Sequence, residues 1–286
     1  MTKKFIESGK RFIKENYKFF IVLIFILIIF GIQLPYKIYT PGGMVNLSER
    51  ISVENGYSSE GELGMAYVSM VKGSVPFLLL SYFIPDWDIV PESEITYDNQ
   101  TFEETVQADK IATQQSIDAA IIASYKEAGK PVTIESENVN ITYIESEADT
   151  NLKLFDQVLS IDGEKIKSTE ELRAIINSHQ KGDTVEVIVL RDEKEESCYA
   201  NIYETDTGLK IGIAITVTYN YEEEPAASIK MKQSESGPSG GLMMSLAIYN
   251  ALIEEDITKG KTIIGTGTID IDGNVGEISG VKYKLI

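Results

Sequence analysis

Two side chains, Ser239 and Lys282, are of the right type to do hydrolytic chemistry together. Ser239 sits in Glu235-Ser236-Gly237-Pro238-Ser239-Gly240-Gly241, ahead of an apolar, helix-patterned run from Leu242 to Ile253, and Lys282 lies in Gly280-Val281-Lys282. A serine at a helix entrance has backbone N–H groups beside it that lack intrahelical acceptors, and such donors can hold the negative oxygen of a tetrahedral intermediate. The serine still needs a base. The one histidine, His179, falls in a polar Ser178-His179-Gln180-Lys181-Gly182 turn of a different module, which argues against a serine–histidine–aspartate triad. A lysine can replace it where burial among apolar groups penalises the charged amine and lowers its pKa. Lys282 is the candidate base. Lys284, two residues on, would face away on a strand or sit well round a helix, so it reads as an exposed lysine.

These residues carry a resemblance. Gly237-Pro238-Ser239-Gly240-Gly241, followed by Ile278-Ser279-Gly280-Val281-Lys282-Tyr283-Lys284-Leu285, is similar to the serine–lysine dyad of the Lon-type serine protease domain. In that family the base is the first lysine of a Gly-hydrophobic-Lys-x-Lys-Leu segment, which falls on Lys282. Thr266, in Gly265-Thr266-Gly267-Thr268, matches the threonine that orients the lysine, and Gly237 and Gly240 support the serine loop. The strand-like run Leu209 to Thr218 resembles the start of the same domain. The resemblance implies an endopeptidase acting on peptides or unfolded segments, in which neutral Lys282 takes the Ser239 proton and water resolves an acyl-enzyme. It implies no metal or organic cofactor. ATP dependence is not expected either, because Gly260-Lys261-Thr262 would end a phosphate loop only with glycine where Glu255 stands. In the family the lysine opens a helix with a further strand and helix after it, so ending at Ile286 implies an incomplete protease domain.

The chain of 286 residues is long enough for several modules, and its formal charge of −18 disfavours nucleic-acid binding, which relies on clustered Lys and Arg. Cys198 is alone, which excludes an intramolecular disulfide without fixing the compartment. Phe19 to Ile32 is an unbroken apolar run, read here as a transmembrane signal anchor over 19–36 with Tyr17 and Tyr36 near its ends. Lys3, Lys4, Lys10, Arg11, Lys14 and Lys18 precede it. The positive-inside rule then puts a basic segment, 1–18, in the cytoplasm and the main body outside a cell membrane. A cleaved signal peptide and a buried core helix are the alternatives. The apolar stretch Val75 to Ile84 is too short to span and reads as core or as a surface near the membrane.

The elements that must position Ser239 and Lys282 fall into three further regions. Region 37–130 is an α/β unit with a turn at Pro41-Gly42-Gly43, a strand from Leu63 to Val71 and a helix from Gln107 to Tyr125; Asp86 and Asp88, around Trp87, read as solvated carboxylates. Region 131–203 has strands at Val132–Ile134 and Ile141–Ile144, a hairpin at Asp162-Gly163, a helix opened by Ser168 and Glu171, and an alternating strand from Thr184 to Arg191. This order is similar to a PDZ domain, a family that captures extended peptides by strand addition. Phe155-Asp156 stands where Gly-Asp is expected, no Gly-Leu-Gly-Phe-like loop is recognisable, and Glu145, Glu147 and Asp149 would repel a peptide carboxylate, so peptide delivery and an architectural role both stay open. Region 204–286 is the incomplete Lon-type α/β domain. The expected fold class is thus α+β and multidomain: a transmembrane helix, a mixed α/β membrane-proximal region, a PDZ-like domain and a protease domain. Expected partners are peptide or unfolded protein, the membrane, no nucleic acid and a possible second copy. An inactive, membrane-tethered PDZ-like scaffold is the competing expectation.

Overall fold

The computed structural model describes residues 11–97 and 99–284. The readings attached to Lys3, Lys4, Lys10 and Leu285 lie outside the described residues.

The apolar run after the basic segment forms helix α1 (Tyr17–Gly31), 15 residues long. At ~1.5 Å per residue it reaches roughly 22 Å, short of a ~30 Å hydrocarbon layer. No helix among the described residues is long and apolar enough to cross a membrane, which corrects the expected span over 19–36. The reason lies at its end: Ile32 is extended, and the chain passes directly into strand β1 (Gln33–Asn46), carrying Leu34 and Tyr36 with it. Pro35 has no N–H to give a ladder, and it sits where the register slips between Gln33 and Lys37.

Strand β1 continues through Pro41-Gly42-Gly43, where a turn was expected. Its antiparallel partner is β3 (Glu62–Ser74), reached through the short β2 (Ile51–Val53), and the register shifts between Thr40 and Gly43. A Cβ on Gly42 would lie 1.6 Å from the Tyr67 carbonyl oxygen, so a bulge with glycine lets the two backbones meet there. Helix α2 (Val75–Ser81) follows, and the apolar stretch read as core or as a surface near the membrane leaves Leu79, Tyr82 and Phe83 exposed. Strand β4 (Asp88–Pro91) then pairs with β1. Thr101 and Glu104 form a reciprocal capping box at the start of α3 (Phe102–Glu127), which extends the expected helix at both ends.

The middle of the chain forms a six-stranded sheet. Strands β5 (Val132–Ile144), β6 (Gln157–Ile161), β8 (Thr184–Arg191) and β9 (Lys194–Asn201) follow one another across it, with β7 (Glu164–Lys165) hairpinned onto β6. Helix α4 (Thr169–Ser178), capped by Ser168, covers one face. A small hairpin, β10 (Tyr203–Thr205) and β11 (Gly208–Lys210), leads to β12 (Ile213–Glu223), which pairs along β5 from Ile213 opposite Ile144 to Glu223 opposite Val132. The run expected to open the last region is therefore hydrogen-bonded into the middle sheet.

After β12 the chain returns to its first part. Strand β13 (Ala227–Ile229) pairs with β2, helix α5 (Gly241–Leu252) lies against α3, and β14 (Thr262–Gly265) runs parallel to β3 with Thr262 opposite Glu62. Strands β15 (Thr268–Ile269) and β16 (Val275–Gly276) form a hairpin, and α6 (Val281–Lys284) closes the described chain against β1 and β3. Among the described residues there are two separate cores. One gathers Val139, Ile141, Ile161, Val185, Val187 and Ile202; the other joins Leu47, Leu63 and Ile121 from the first part to Met243, Met244 and Ile248 from the last. Each such side chain, fully buried, contributes ~1.5–3 kcal/mol, so both bodies have a core of their own.

Candidate active site and peptide-binding edge

The serine loop is held by helix α3. Gly237 has φ of 106°, a conformation that glycine adopts without penalty, and its N–H donates to Thr113 Oγ1 at 2.7 Å. Ser116 Oγ donates to the Pro238 carbonyl at 2.9 Å. Three residues apart, Thr113 and Ser116 share a helix face and grip the peptide units on either side of the Gly237–Pro238 one. Sequence reasoning missed both. Their signal was a pair of polar residues on the face of a helix that otherwise turns Ala120 and Ile121 inward. Gly240 is fixed by space instead, since a Cβ there would come within 2.0 Å of Met65 Sδ.

Ser239 itself, half-buried, opens the short 3₁₀ turn Pro238–Gly240 that runs into α5. Its carbonyl accepts from Thr266 Oγ1 at 3.0 Å and from the Gly267 N–H at 2.8 Å, while Leu242 N–H donates back to Gly267 at 3.0 Å. The 266–267 segment is thus stitched to the serine loop on both sides. Of the amides that follow Ser239, Gly241 N–H donates to the Pro238 carbonyl and Leu242 N–H to Gly267, so the first turn of α5 is tied into the loop.

The two lysines exchange the places expected of them. Lys282 Nζ meets Asp88 Oδ2 at 2.5 Å with its side chain 59% exposed, so it is not the amine beside Thr266. Lys284 Nζ donates to Thr266 Oγ1 at 3.0 Å, and burial pulls its pKa below the ordinary lysine value. The cause of the exchange is helical geometry. Residues two apart on a helix point about 200° away from each other, so with Lys282 on Asp88 it is Lys284 that faces the serine loop. Lys284, Thr266 and the Ser239 peptide unit form one continuous chain of contacts.

Beside the loop lies a cavity of about 390 Å³, lined by Ser116, Ala119, Tyr219, Pro238, Ile269 and Val275 among others. Its walls are largely apolar, with Asp270 at the rim. The Asp270 carboxylate is held below the usual range by hydrogen bonds from Asn274, Asp272 and Gly273, which outweigh its desolvation. Tyr219 comes from β12, the strand that also completes the middle sheet.

That strand defines the second site. β12 has β5 as its sheet neighbour, and its other edge ends the six-stranded sheet. Helix α3 lies against this edge, where Tyr219 N–H donates to Asp118 Oδ2 at 2.9 Å, while α4 meets the sheet at β5, with Thr169 N–H donating to Glu137 Oε2 at 2.8 Å, and contacts β11. Leading into β12, Ile211 and Ile213 flank Gly212, whose φ is 75° and whose carbonyl accepts from Glu145 N–H at 2.8 Å. Two of the three carboxylates expected to repel a peptide terminus are engaged internally, Glu145 by the Tyr203 hydroxyl and Asp149 by Asn201 Nδ2 at 2.6 Å. Phe155 adopts φ of 72°, which explains why a glycine is the expected residue there.

A family model described as PDZ domain matches residues 129–202. Similar solved structures include the PDZ domain of the SdrC-like protein from Listeria monocytogenes, 25% identical over 29% of this chain and 92% of that one, with a TM-score of 0.27. The PDZ domain of the SdrC-like protein from Listeria innocua is 26% identical over 27% and 92%, with a TM-score of 0.26. No curated protein matches the chain. The chain therefore contains a PDZ domain, consistent with a peptide partner. The expected fold class is corrected accordingly: it is mixed α/β with a PDZ domain, without the transmembrane helix among the described residues, and the family finding is PDZ rather than the Lon-type domain expected over 204–286.

Proposed function

We propose that this protein is a serine peptidase in which Ser239 is the nucleophile and Lys284 the base, and in which the PDZ domain binds polypeptide. The observation that carries the reading is the half-buried Lys284 amine, lowered in pKa and hydrogen-bonded to the threonine that also holds the Ser239 peptide unit. In the proposed reaction neutral Lys284 accepts the proton from Ser239 Oγ as the Oγ–carbonyl bond forms. Backbone N–H groups of the serine loop take the oxyanion. The protonated amine then returns its proton to the leaving amine as the peptide C–N bond breaks, and water, deprotonated by the same lysine, releases the acyl group. The apolar cavity beside Pro238 suits an uncharged substrate side chain.

Degradation of fluorescein-labelled β-casein by the full chain tests this. Ser239→Ala and Lys284→Ala are expected each to reduce turnover by about 10³-fold or more, and Lys282→Ala by far less. Turnover that survives Ser239→Ala removes the hydrolytic reading. The second reading, a non-catalytic peptide-binding scaffold, draws on the PDZ domain itself, and binding of labelled β-casein without cleavage by the unaltered chain would favour it.

A further inference from the structure

We propose that Asp88 and Tyr283 are positioning residues for Lys284: together they clamp the opposite face of α6 and so aim the lysine amine at Thr266. This rests on the Ser239–Lys284 reading and adds the device that makes it geometrically possible. Asp88 stands directly across from Tyr39 in the pairing of β1 with β4. Its Oδ2 accepts from Lys282 Nζ and from the Tyr283 hydroxyl, each at 2.5 Å. The Tyr283 ring stacks on Tyr39, with centroids 5.4 Å apart and 17° between the planes. One member of a cross-strand pair thus takes the ring face, and the other takes the hydroxyl and the neighbouring ammonium. Gly280, with φ of 68°, brings the helix start close to Val68 of β3.

Over its described residues α6 is a single turn, and its orientation is fixed by what it touches. Both clamp groups are adapted to the contact. The Asp88 carboxyl is held below its usual range, chiefly by the Lys282 hydrogen bond, and the Tyr283 hydroxyl is pushed up to about 12 by burial and then by Asp88. At neutral pH the carboxylate is ionised and the Tyr283 hydroxyl keeps its proton. A residue that sequence reads as a solvated carboxylate therefore joins two side chains of α6.

The test titrates the full chain labelled with ¹³Cε-lysine by NMR, with the Lys284 resonance assigned through Lys284→Arg, beside rates on labelled β-casein. In Asp88→Ala the released helix exposes Lys284, so its pKa is expected to rise toward the ordinary lysine value. The acid limb of kcat should move up with it, and kcat should drop about 10- to 100-fold, with KM little changed. A purely electrostatic role has the opposite sign: the unpaired Lys282 charge would lower the Lys284 pKa. Asp88→Glu is expected to restore both readouts, Tyr283→Phe to shift them less, and Asp88→Asn serves if the alanine variant does not fold. A Lys284 titration unmoved or lowered in Asp88→Ala overturns the clamp, even if Ser239→Ala abolishes turnover. Turnover surviving Ser239→Ala instead removes the hydrolytic reading, while the NMR titration still decides the clamp.

Discussion

The two bodies of this molecule are built from chain in opposite ways. The PDZ body takes most of its sheet from one continuous segment, β5 to β9, whose strands pair in antiparallel ladders. The body around Ser239 is assembled from the two ends: β3 with β14, β2 with β13, α3 with α5. The first closes short loops, whereas the second orders long ones before its contacts form. Strand β12 belongs to both, with Ile213 and Ile215 against the PDZ core and Tyr221 against the other. Function follows the same division. A peptide edge needs one strand and one helix, but a nucleophile and its base can come from distant segments only when a composite core brings them together.

The largest effect that separates the bodies lies in the PDZ core. Asp156, 1% exposed, takes Arg191 Nε at 2.7 Å and Nη2 at 2.6 Å, and accepts the Lys153 N–H at 2.8 Å. The carboxylate, as hydrogen-bond and charge partner, raises the guanidinium pKa. Asp156→Ala leaves the arginine with Glu196, 2.5 Å from Nη1, as its remaining carboxylate and removes the buried one, and is expected to cost about 3 kcal/mol. Trp87, the one tryptophan, lies in the composite body, so urea unfolding followed by circular dichroism should shift while the Trp87 fluorescence midpoint moves less. Coincident shifts of equal size would break the comparison, because they mean one cooperative unit.

The reciprocal experiment is next in size. Ile248, fully buried between α3 and α5, loses its side chain in Ile248→Ala at an expected ~3 kcal/mol, and here the fluorescence transition should lead. Turnover should fall in proportion to the unfolded fraction, since Ile248 does not touch the serine loop.

The contrast also explains what the sequence makes legible. Region 131–203 reads well because its signals are local: the Asp162-Gly163 hairpin, the Ser168 cap and the alternating Thr184–Arg191 run all act within a few residues. Ser239 and Thr266 stand out for the same reason, as a small-residue helix entrance and a Thr-Gly segment. The choice between Lys282 and Lys284 does not, because it depends on Asp88 in a strand near the other end of the chain. Thr113 and Ser116 are hidden in the same way, as two ordinary polar residues until the serine loop lies on them. The apolar run before β1 misleads on its own pattern: hydrophobicity suggests a span, but the extended backbone from Ile32 and the register shift around Pro35 end the helix early.

A smaller test concerns how α3 starts. Thr101 Oγ1 accepts the Glu104 N–H at 3.2 Å and Glu104 Oε2 accepts the Thr101 N–H at 2.7 Å. Thr101→Ala should cost about 1 kcal/mol, read as a lower midpoint in the Trp87 transition. Because the cap is about three turns from Thr113, KM and the pH profile should stay as they are.

The smallest effect returns to the PDZ body and depends on pH. His179 caps α4, with Nδ1 at 2.8 Å from the Ile175 carbonyl and Nε2 at 2.9 Å from Asp162 Oδ2. Only the protonated ring donates at both nitrogens at once. The Ile175 carbonyl raises the imidazole pKa above its ordinary value, against a desolvation that lowers it, and Asp162 and Asp183 add to the rise. A folded-state pKa above the unfolded one means stabilisation that is complete below about pH 6.5 and is lost as pH rises through the higher folded value. The Tm difference between the unaltered chain and His179→Ala should therefore be largest near pH 5 and shrink by pH 8. Because α4 belongs to the PDZ domain, the affinity for labelled β-casein should follow the same course. A Tm difference that stays flat across that range would mean that the ring acts as a neutral cap, and the proton would then have no part in holding the helix in the PDZ domain.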